Sequence, residues 1–270
     1  MTDFTQNNTS NSIEYAPKKA GIPGSTLKLI AIFTMLIDHI AASFLNGYLT
    51  LYAASESPDP SVLNQLYLLY TIMRLIGRIA FPIFCFLLVE GFIHTRNPYK
   101  YGIRLFLFAL ISEFPFDLAF SGELFDWSHQ NVYFTLFLGL AAIYAMQYIE
   151  KKLSLSHMAS AVSNIGVLIP FMLLAGVMKT DYSAFGVMTI AVIYFLRSQK
   201  VIAMITANIC LTVMSLFEIS GFLSVIAVKF YNGERGLSLK YVFYLFYPVH
   251  LFLLYLLCVA AGIYSFPFTV

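Results

Sequence analysis

Charged residues are scarce in this sequence of 270 residues. Only 11% of the positions are Asp, Glu, Lys or Arg, whereas 59% are hydrophobic and the mean hydropathy is +0.77. Because a soluble protein carries about 25% charged residues, this composition excludes a conventional soluble domain. The formal net charge of +2 is too small and too dispersed to attract nucleic acid, which excludes a nucleic-acid partner.

Cysteine is also scarce, and its placement excludes a disulfide framework or a cysteine-based metal site. Cys85, Cys210 and Cys258 lie alone within apolar runs, with no CxxC spacing among them. Structural zinc sites require closely spaced cysteine or histidine ligands. We therefore expect no metal, and we expect the three thiols to pack as small apolar side chains.

The first 25 residues lack the apolar centre and the small-residue cleavage site of a signal peptide. They are instead rich in Asn, Ser and Thr and contain Pro17 and Pro23. This composition predicts a polar, disordered cytoplasmic tail over residues 1–25. Because no repeat of fixed period follows it, residues 26–270 are predicted to form a single transmembrane domain.

What the sequence has in abundance is long apolar stretches. Crossing about 30 Å of hydrocarbon takes about 20 residues of α-helix, and such stretches follow one another from Thr26 onward. The predicted fold class is all-α, a polytopic integral membrane protein with about nine transmembrane helices. The predicted segments span residues 26–46, 66–93, 101–120, 131–149, 158–178, 182–197, 199–217, 219–231 and 241–265.

Positive charges alternate from loop to loop, and this alternation predicts the orientation. Lys and Arg gather in the cytoplasmic loops of cell-membrane proteins. Here they precede the first segment and follow the second, fourth, sixth and eighth, at Lys18, Lys19, Lys28, Arg96, Lys100, Arg104, Lys151, Lys152, Arg197, Lys200, Lys229, Arg235 and Lys240. The sequence therefore predicts a multi-pass protein of the cell (inner) membrane, with its amino terminus cytoplasmic and its carboxyl terminus outside.

The first segment contains two adjacent ionisable residues near its middle, Asp38 and His39. Such a residue costs several kcal/mol in hydrocarbon unless it faces a partner or water. A carboxylate beside an imidazole is typical of a general-base unit, in which the carboxylate orients the ring. The alternative is a pair that only forms hydrogen bonds between helices.

The second segment contains two arginines one helical turn apart, Arg74 and Arg78, followed by Glu90 near its cytoplasmic end. This spacing is suited to a two-pronged clamp for an anion. The alternative is that acidic residues of neighbouring helices, such as Asp38, neutralise the arginines and serve packing alone. Buried ion pairs add little stability over apolar contacts, which favours a function for the cluster.

The third and fourth segments bring polar residues toward the outer side. Glu113 and Asp117 lie one turn apart around Pro115, and Asn131 opens the next segment. For Asn131, helix capping and contact with a substrate remain equally open.

The last polar block covers the eighth loop and the ninth segment. Arg235 lies in a glycine-flanked turn, NGERG, which is suited to binding a phosphate but is also common as a simple turn. Tyr247 and His250 follow in the membrane segment, with Pro248 loosening the helix beside them. A lone intramembrane histidine is either a packing donor or a catalyst.

In the order of these polar positions along the chain, the sequence resembles the TraX family of membrane proteins, which is typified by the N-acetylase of conjugative F pilin. The resemblance covers almost everything after the polar tail, although residues 141–228 contribute little to it. It rests on LKLIAIFTMLIDHI at 27–40, RLIGRIAFPIFCFLLVEGFIHTRN at 74–97, YGIRLFLFALISEFPFDLAF at 101–120, QNVYFTLFLGL at 130–140 and YNGERG with KYVFYLFYPVHL within 231–251.

The resemblance implies a membrane-embedded acyltransferase that moves an acetyl group from cytoplasmic acetyl-CoA to an amine. The acceptor is expected to be a pilin amino terminus, another envelope peptide or a small molecule, and membrane lipid is the remaining partner. Together with the residue pattern, it predicts catalytic roles for Asp38, His39, His250, Glu113 and Asp117. Donor binding is assigned to Arg74, Arg78, Glu90, Arg96, Arg104, Arg235 and Tyr247.

Two other classes of function fit the same composition. A proton- or ion-coupled transporter also needs intramembrane Asp, Glu and His residues beside kinking prolines. A structural scaffold of the membrane explains the polar residues least well. Inverted repeats would favour the transporter, and coenzyme A binding would favour the enzyme.

Overall fold

The computed structural model describes residues 20–153, 156–237 and 240–265. Within these ranges the regular structure is helical, and the prediction of an all-α membrane protein is confirmed. The predicted disordered tail before residue 20 and the carboxyl-terminal Val270 lie outside the described residues. Helices suit the bilayer because they satisfy every backbone hydrogen bond within one segment.

The described chain contains eleven α-helices, one π-helical turn and one 3₁₀ helix. In order they are α1 (Gly24–Ile40), a π-helical turn (Ala41–Leu45), α2 (Asn46–Ala53), α3 (Pro60–Gly77), α4 (Ala80–His94), α5 (Pro98–Phe120), α6 (Val132–Leu153), α7 (His157–Val177), α8 (Ser183–Phe195), α9 (Lys200–Met214), a 3₁₀ helix (Leu216–Phe222), α10 (Leu223–Lys229) and α11 (Lys240–Ala260).

Four stretches of helix are long and apolar enough to cross a membrane, at 24–53, 60–94, 132–153 and 158–177. Shorter apolar helices lie at 183–195, 200–214 and 244–260. Helix α5 has 23 residues, but it carries charged side chains near both ends. Each predicted segment therefore coincides with helical structure, although several helices are short for a full crossing.

Three predicted boundaries were wrong. The first segment continues through α2 to residue 53, and the second begins at residue 60, because moderately polar turns extend these helices beyond their apolar centres. The eighth is not a single α-helix but a 3₁₀ helix followed by α10. Gly221 lies in this irregular part, where an added Cβ would be 2.5 Å from Oδ1 of Asn208.

The bundle has two chemically different ends. At one end, which we call the basic end, Ile22 pairs with Tyr231 and the ammonium group of Lys200 donates to the Tyr231 carbonyl. At the opposite end, which we call the acidic end, Gln130 pairs with Thr180. The predicted cytoplasmic loops therefore meet at the basic end, and the predicted outer loops meet at the acidic end.

This arrangement gives a testable orientation. A reporter inserted near Lys151 is expected to be cytoplasmic, whereas a reporter fused after Val270 is expected to lie outside, because the loop charges alternate. Alkaline phosphatase and fluorescent-protein fusions at both positions measure this directly. Finding both reporters on one side of the membrane would overturn the predicted nine crossings.

Candidate functional site

A buried network of ion pairs joins α1, α3 and the 3₁₀ helix. Oδ2 of Asp38 lies 2.6 Å from Nη1 of Arg74, and Oδ1 lies 2.7 Å from Nη2 of Arg78. Nη1 of Arg78 lies 2.9 Å from Oε1 of Glu218. Two guanidinium groups thus face two carboxylates. The predicted anion clamp of Arg74 and Arg78 is already occupied by carboxylates of the protein itself.

The network depends on a close approach between α1 and α3. An added Cβ at Gly77 would lie 2.1 Å from Oδ1 of Asp38 and 2.3 Å from its Cβ, so only glycine fits here. The helix breaks between Gly77 and Ala80, which turns Arg78 toward both carboxylates. Buried charges of this kind persist only when each has a partner with good geometry.

His39 and His250 form a direct pair between α1 and α11. Nδ1 of His39 lies 2.7 Å from Nε2 of His250, and Nδ1 of His250 lies 2.6 Å from the carbonyl oxygen of Phe246. A carbonyl can only accept, so Nδ1 of His250 donates to it. In the neutral pair, Nε2 of His250 therefore accepts from Nδ1 of His39, and Nε2 of His39 keeps a free lone pair.

The predicted orientation of His39 by Asp38 was wrong. Adjacent residues of a helix project about 100° apart, so Asp38 faces the arginines while His39 faces α11. The partner that orients the His39 ring is His250. The chain turns into a π-helix at Ala41, directly after this pair, a feature that often marks functional sites.

Aromatic rings enclose the histidine pair. Tyr247 meets both imidazole rings edge-on, with its ring centroid 5.7 Å from each. Phe120 contacts His39 at 5.5 Å, and Phe246 stacks on His250 at 4.6 Å. These rings keep the pair away from water, since His39 is only 9% exposed.

A cavity of about 560 Å³ runs from the basic end toward this pair. Its volume lies within the usual range of 300–1,000 Å³ for ligand pockets. Cationic side chains and Glu90 surround the mouth, and the inner end is formed by Met35, Tyr133 and Tyr247. The charged and basic lining residues are Lys28, Glu90, His94, Arg96, Arg104 and Arg235.

Met35 lies one helical turn before His39, and Tyr247 contacts both histidines. Tyr133 packs edge-on against Tyr247 at 5.0 Å. The cavity therefore ends one aromatic ring away from the histidine pair, and Tyr247 is the ring between them.

Backbone hydrogen bonds fix the loop that carries Arg235. The amides of Gly24 and Ser25 donate to the carbonyls of Glu234 and Arg235, at 2.8 Å and 3.0 Å. Gly236 adopts a φ of +68°, which favours glycine, and lies directly against Ser25. The Tyr231 hydroxyl also donates to Glu90 at 3.2 Å. These contacts fix the position of the NGERG loop at the cavity mouth.

Glu113 and Asp117 lie at the acidic end, apart from the histidine pair. Oε2 of Glu113 accepts from the side-chain amide of Asn131, and Oδ2 of Asp117 accepts from the amide of Asp126 at 3.0 Å. The Oδ1 atom of Asn131 accepts from the amide of Tyr133 at 3.0 Å. Asn131 therefore caps α6 and also binds Glu113.

His129 is one of the basic residues at this end. Its Nε2 lies 3.6 Å from Oδ1 of Asp181. The interaction with Asp181 raises the pKa of His129 above its usual range, and the charges of Glu113 and Asp126 act in the same direction against partial burial.

A raised pKa gives this contact a defined pH dependence. The contact between His129 and Asp181 stabilises the fold fully below about pH 6.5, which is the pKa of His129 in the unfolded chain. This stabilisation is lost as the pH rises through the pKa of His129 in the folded protein. We expect His129→Gln to lower the melting temperature more at pH 6 than at pH 9, measured by differential scanning fluorimetry in detergent. An equal loss at both pH values would contradict the contribution of the charged imidazole.

The structure separates the predicted site residues into four groups. His39, His250 and Tyr247 lie together, Asp38 lies with the two arginines, and Glu113 and Asp117 lie at the acidic end. The fourth group, Arg96, Arg104, Arg235 and Glu90, lines the cavity mouth. Sequence reasoning missed Glu218, Tyr133 and Asp181 as members of these groups. Glu218 carried a signal, since it is an acidic residue within an otherwise apolar run.

Fold and site together define a polytopic helical membrane protein with a buried histidine pair beside a basic-mouthed cavity. The chain belongs to the TraX family, since the family model described as TraX protein matches residues 23–258. It is also similar to a protein of Dichelobacter nodosus named probable fimbrial assembly protein FimC, serogroup H1. The two are 30% identical over 254 residues, which cover 84% of this chain and 92% of that protein. No solved structure matches the chain significantly.

Proposed function

We propose that this protein transfers an acetyl group from acetyl-CoA to an amine, with His39 as the general base. One observation carries the proposal: a cavity of about 560 Å³ runs from a cationic mouth to Tyr247, whose ring contacts both imidazoles of the buried histidine pair. Coenzyme A combines several negative phosphates with a long, thin arm that ends in the thioester. A charged mouth leading to a narrow, largely apolar interior suits a ligand of that shape and charge.

The phosphates bind at the mouth. Arg96, Arg104 and Arg235 line it, and within the described residues none of the three forms an ion pair with a carboxylate. Arg74 and Arg78 are engaged by Asp38 and Glu218, so in this proposal they maintain the fold instead of binding the donor. Glu90 accepts from Tyr231 and holds the mouth in shape.

The chemistry takes place at the inner end of the cavity. The side chain of Tyr247 rotates away from the end of the cavity. The thioester of the bound donor can then reach Nε2 of His39. That nitrogen takes a proton from the amine, the amine nitrogen forms a bond to the thioester carbon, and the carbon–sulfur bond breaks. The departing thiolate receives the proton. His250 is a positioning residue, because it fixes the His39 tautomer and accepts from the imidazolium.

The acceptor proposed here is the amino terminus of a pilin or fimbrial subunit, or another envelope amine. The relative named as a fimbrial assembly protein supports this choice, as does membership of the TraX family. The protein would act in the cell membrane, with the basic end toward the cytoplasm where acetyl-CoA is made.

The test is an assay of free thiol released from acetyl-CoA by the purified protein in detergent. Candidate amines are short peptides with a free amino terminus, and N-acetylated peptides serve as controls. We expect release that depends on the free amine. Silence with all amines, together with no binding of coenzyme A by calorimetry, would end the proposal. Proton-coupled uptake of a solute into liposomes, without thiol release, would instead favour the transporter.

A prediction for the donor site concerns Arg235. Arg235→Ala is expected to raise the KM for acetyl-CoA by about tenfold with little change in kcat, because a phosphate contact mainly holds the ligand. Gly236→Ala should act similarly, since an added Cβ would lie 2.2 Å from Oγ of Ser25 and would displace the loop. Steady-state kinetics measures both. Lys229→Ala, at an exposed cation outside the cavity lining, is the matched control.

A loss confined to kcat in Arg235→Ala would contradict this role, because it would place the guanidinium at the reacting atoms. An equal effect of Lys229→Ala would show that general positive charge, and not this contact, attracts the donor.

A further inference from the structure

The acidic end contains more negative charge than its described neighbours neutralise. Glu113, Asp117, Asp126 and Asp181 gather there, as the charges that act on His129 and Asp117 indicate. The nearby cations in the described chain are His129, which contacts Asp181, and Lys179, which is exposed and acts on Asp126. Within the described residues neither Glu113 nor Asp117 forms an ion pair.

Two buried carboxylate oxygens at this end have no hydrogen-bond partner among the residues that the structure describes. They are Oε1 of Glu113 and Oδ1 of Asp117, and both are inaccessible to solvent. Asp117 as a whole is only 3% exposed. Leaving a buried acceptor unsatisfied is costly, and an unpaired buried charge is costlier still. Each of these two oxygens can therefore accept a hydrogen bond that the described part of the protein does not supply. The excess of negative charge indicates that the missing hydrogen-bonding group is cationic.

Short chains of contacts connect the acidic end to the histidine pair. Phe116 contacts His129 at 5.8 Å and Phe120 at 4.8 Å, and Phe120 contacts His39. A second chain runs from Glu113 through Asn131 and Tyr133 to Tyr247. The unsatisfied carboxylates therefore lie a few side chains from the base, on the side opposite to the cavity mouth.

We propose that Glu113 and Asp117 bind the protonated amino terminus of the acceptor peptide, which enters from the acidic end while the donor enters from the basic end. This inference rests on the proposed function and names its acceptor subsite. An ammonium group supplies the donors that the two oxygens lack. The two carboxylates hold the ammonium form. One of its protons returns to water at the acidic end as the peptide moves on to His39, and His39 takes the second proton from the neutral amine.

The experiment measures peptide binding to the full chain in phosphatidylcholine nanodiscs, a lipid without a primary amine. Trialanine with a free amino terminus is the probe, and N-acetyl-trialanine lacks the cation. By calorimetry we expect trialanine to bind at least about tenfold more tightly than its acetylated form, since hydrogen bonds to charged groups are the strong ones.

Variants then locate the site. Glu113→Gln and Asp117→Asn keep the side-chain shape and remove the charge, so each should weaken trialanine binding about tenfold and leave acetyl-CoA binding unchanged. Glu113→Asp keeps the charge and should retain most of the affinity. Glu123→Gln removes an exposed charge from the same outer loop and is the matched control, with an expected change below about twofold.

The outcomes separate the two proposals. Amine binding that is lost in Glu113→Gln, without any acetyl transfer, would support this subsite and overturn the enzyme. Acetyl transfer whose KM for the amine is the same in wild type, Glu113→Gln and Asp117→Asn would support the enzyme and overturn this subsite.

Equal affinity for phosphoethanolamine and trialanine would overturn the assignment to a peptide. If a variant does not fold, the preference of the wild type for trialanine over N-acetyl-trialanine still decides, and equal affinity for both overturns the subsite.

Discussion

Replacing His39 by Gln is expected to lower the turnover number by about 10²–10⁴-fold, the usual contribution of a general base. Gln retains hydrogen-bonding groups but cannot take a proton from an amine. Binding of acetyl-CoA should survive, because the cavity mouth lies at the basic end, away from His39. The measurement is amine-dependent thiol release, with donor affinity by calorimetry and the melting temperature in detergent as controls.

His250→Leu, which has no hydrogen-bonding group, tests whether the two rings act as one unit. It should lower turnover to a similar extent, because His39 loses the acceptor that fixes its tautomer. The double variant should then lose far less activity than the product of the two single losses. Unchanged turnover in His39→Gln, together with a lowered melting temperature, would reduce the pair to a packing contact.

Asp38→Asn is expected to cause the largest loss of stability, about 3–5 kcal/mol. The amide cannot neutralise the guanidinium groups of Arg74 and Arg78. Arg78 would keep only Glu218, and Arg74 would have no ion-pair partner among the described residues. Breaking a buried pair on one side costs this much because it leaves an uncompensated charge. Unfolding in mixed micelles with increasing dodecyl sulfate measures the change.

Gly77→Ala should destabilise the same network without removing any charge. The added methyl group would lie 2.1 Å from Oδ1 of Asp38 and would separate the carboxylate from the arginines. Because both changes act on one contact, the double variant should lose clearly less than the sum of the single losses. The matched control is Gly166→Ala in α7, where no atom of another described segment lies within 4 Å of the added Cβ.

Gly166→Ala should be neutral or stabilising by up to about 1 kcal/mol, because alanine favours helix. Wild-type stability in Asp38→Asn would contradict the importance of the network. An equal loss in both glycine variants would show that helix packing in general, and not the approach to Asp38, decides the effect.

The sequence predicted the helices better than it predicted their contacts. Apolar length decides whether a segment is helical, and each predicted segment coincided with helical structure. The ends of the first two segments were wrong because turns of mixed polarity, such as those of α2 and the start of α3, continue a helix into the membrane boundary. A hydropathy pattern marks the apolar centre and not the last turn.

The individual site residues were visible in the sequence, but most of their partners were not. The exception is the pairing of Asp38 with Arg74 and Arg78, which was the alternative interpretation and is present in the structure. His39 and His250 were both marked as costly intramembrane groups, yet 211 positions separate them along the chain. Asp38 was paired with its neighbour in sequence, although helical geometry points the two side chains to different helices. Glu218 was not singled out, because its short segment gives no sign that it packs against Arg78.

The shortness of α8 and α9 has a consequence for the surrounding lipid. With 13 and 15 residues they extend about 20 Å and 22 Å, whereas a bilayer core is about 30 Å thick and α7, with 21 residues, matches it. Exposed apolar side chains line the outer face of α9, at Ile202, Ile205, Ile209 and Val213. We expect acyl chains to compress along this flank, so that the protein sits in a membrane of uneven thickness and lipid chain length becomes a determinant of its stability.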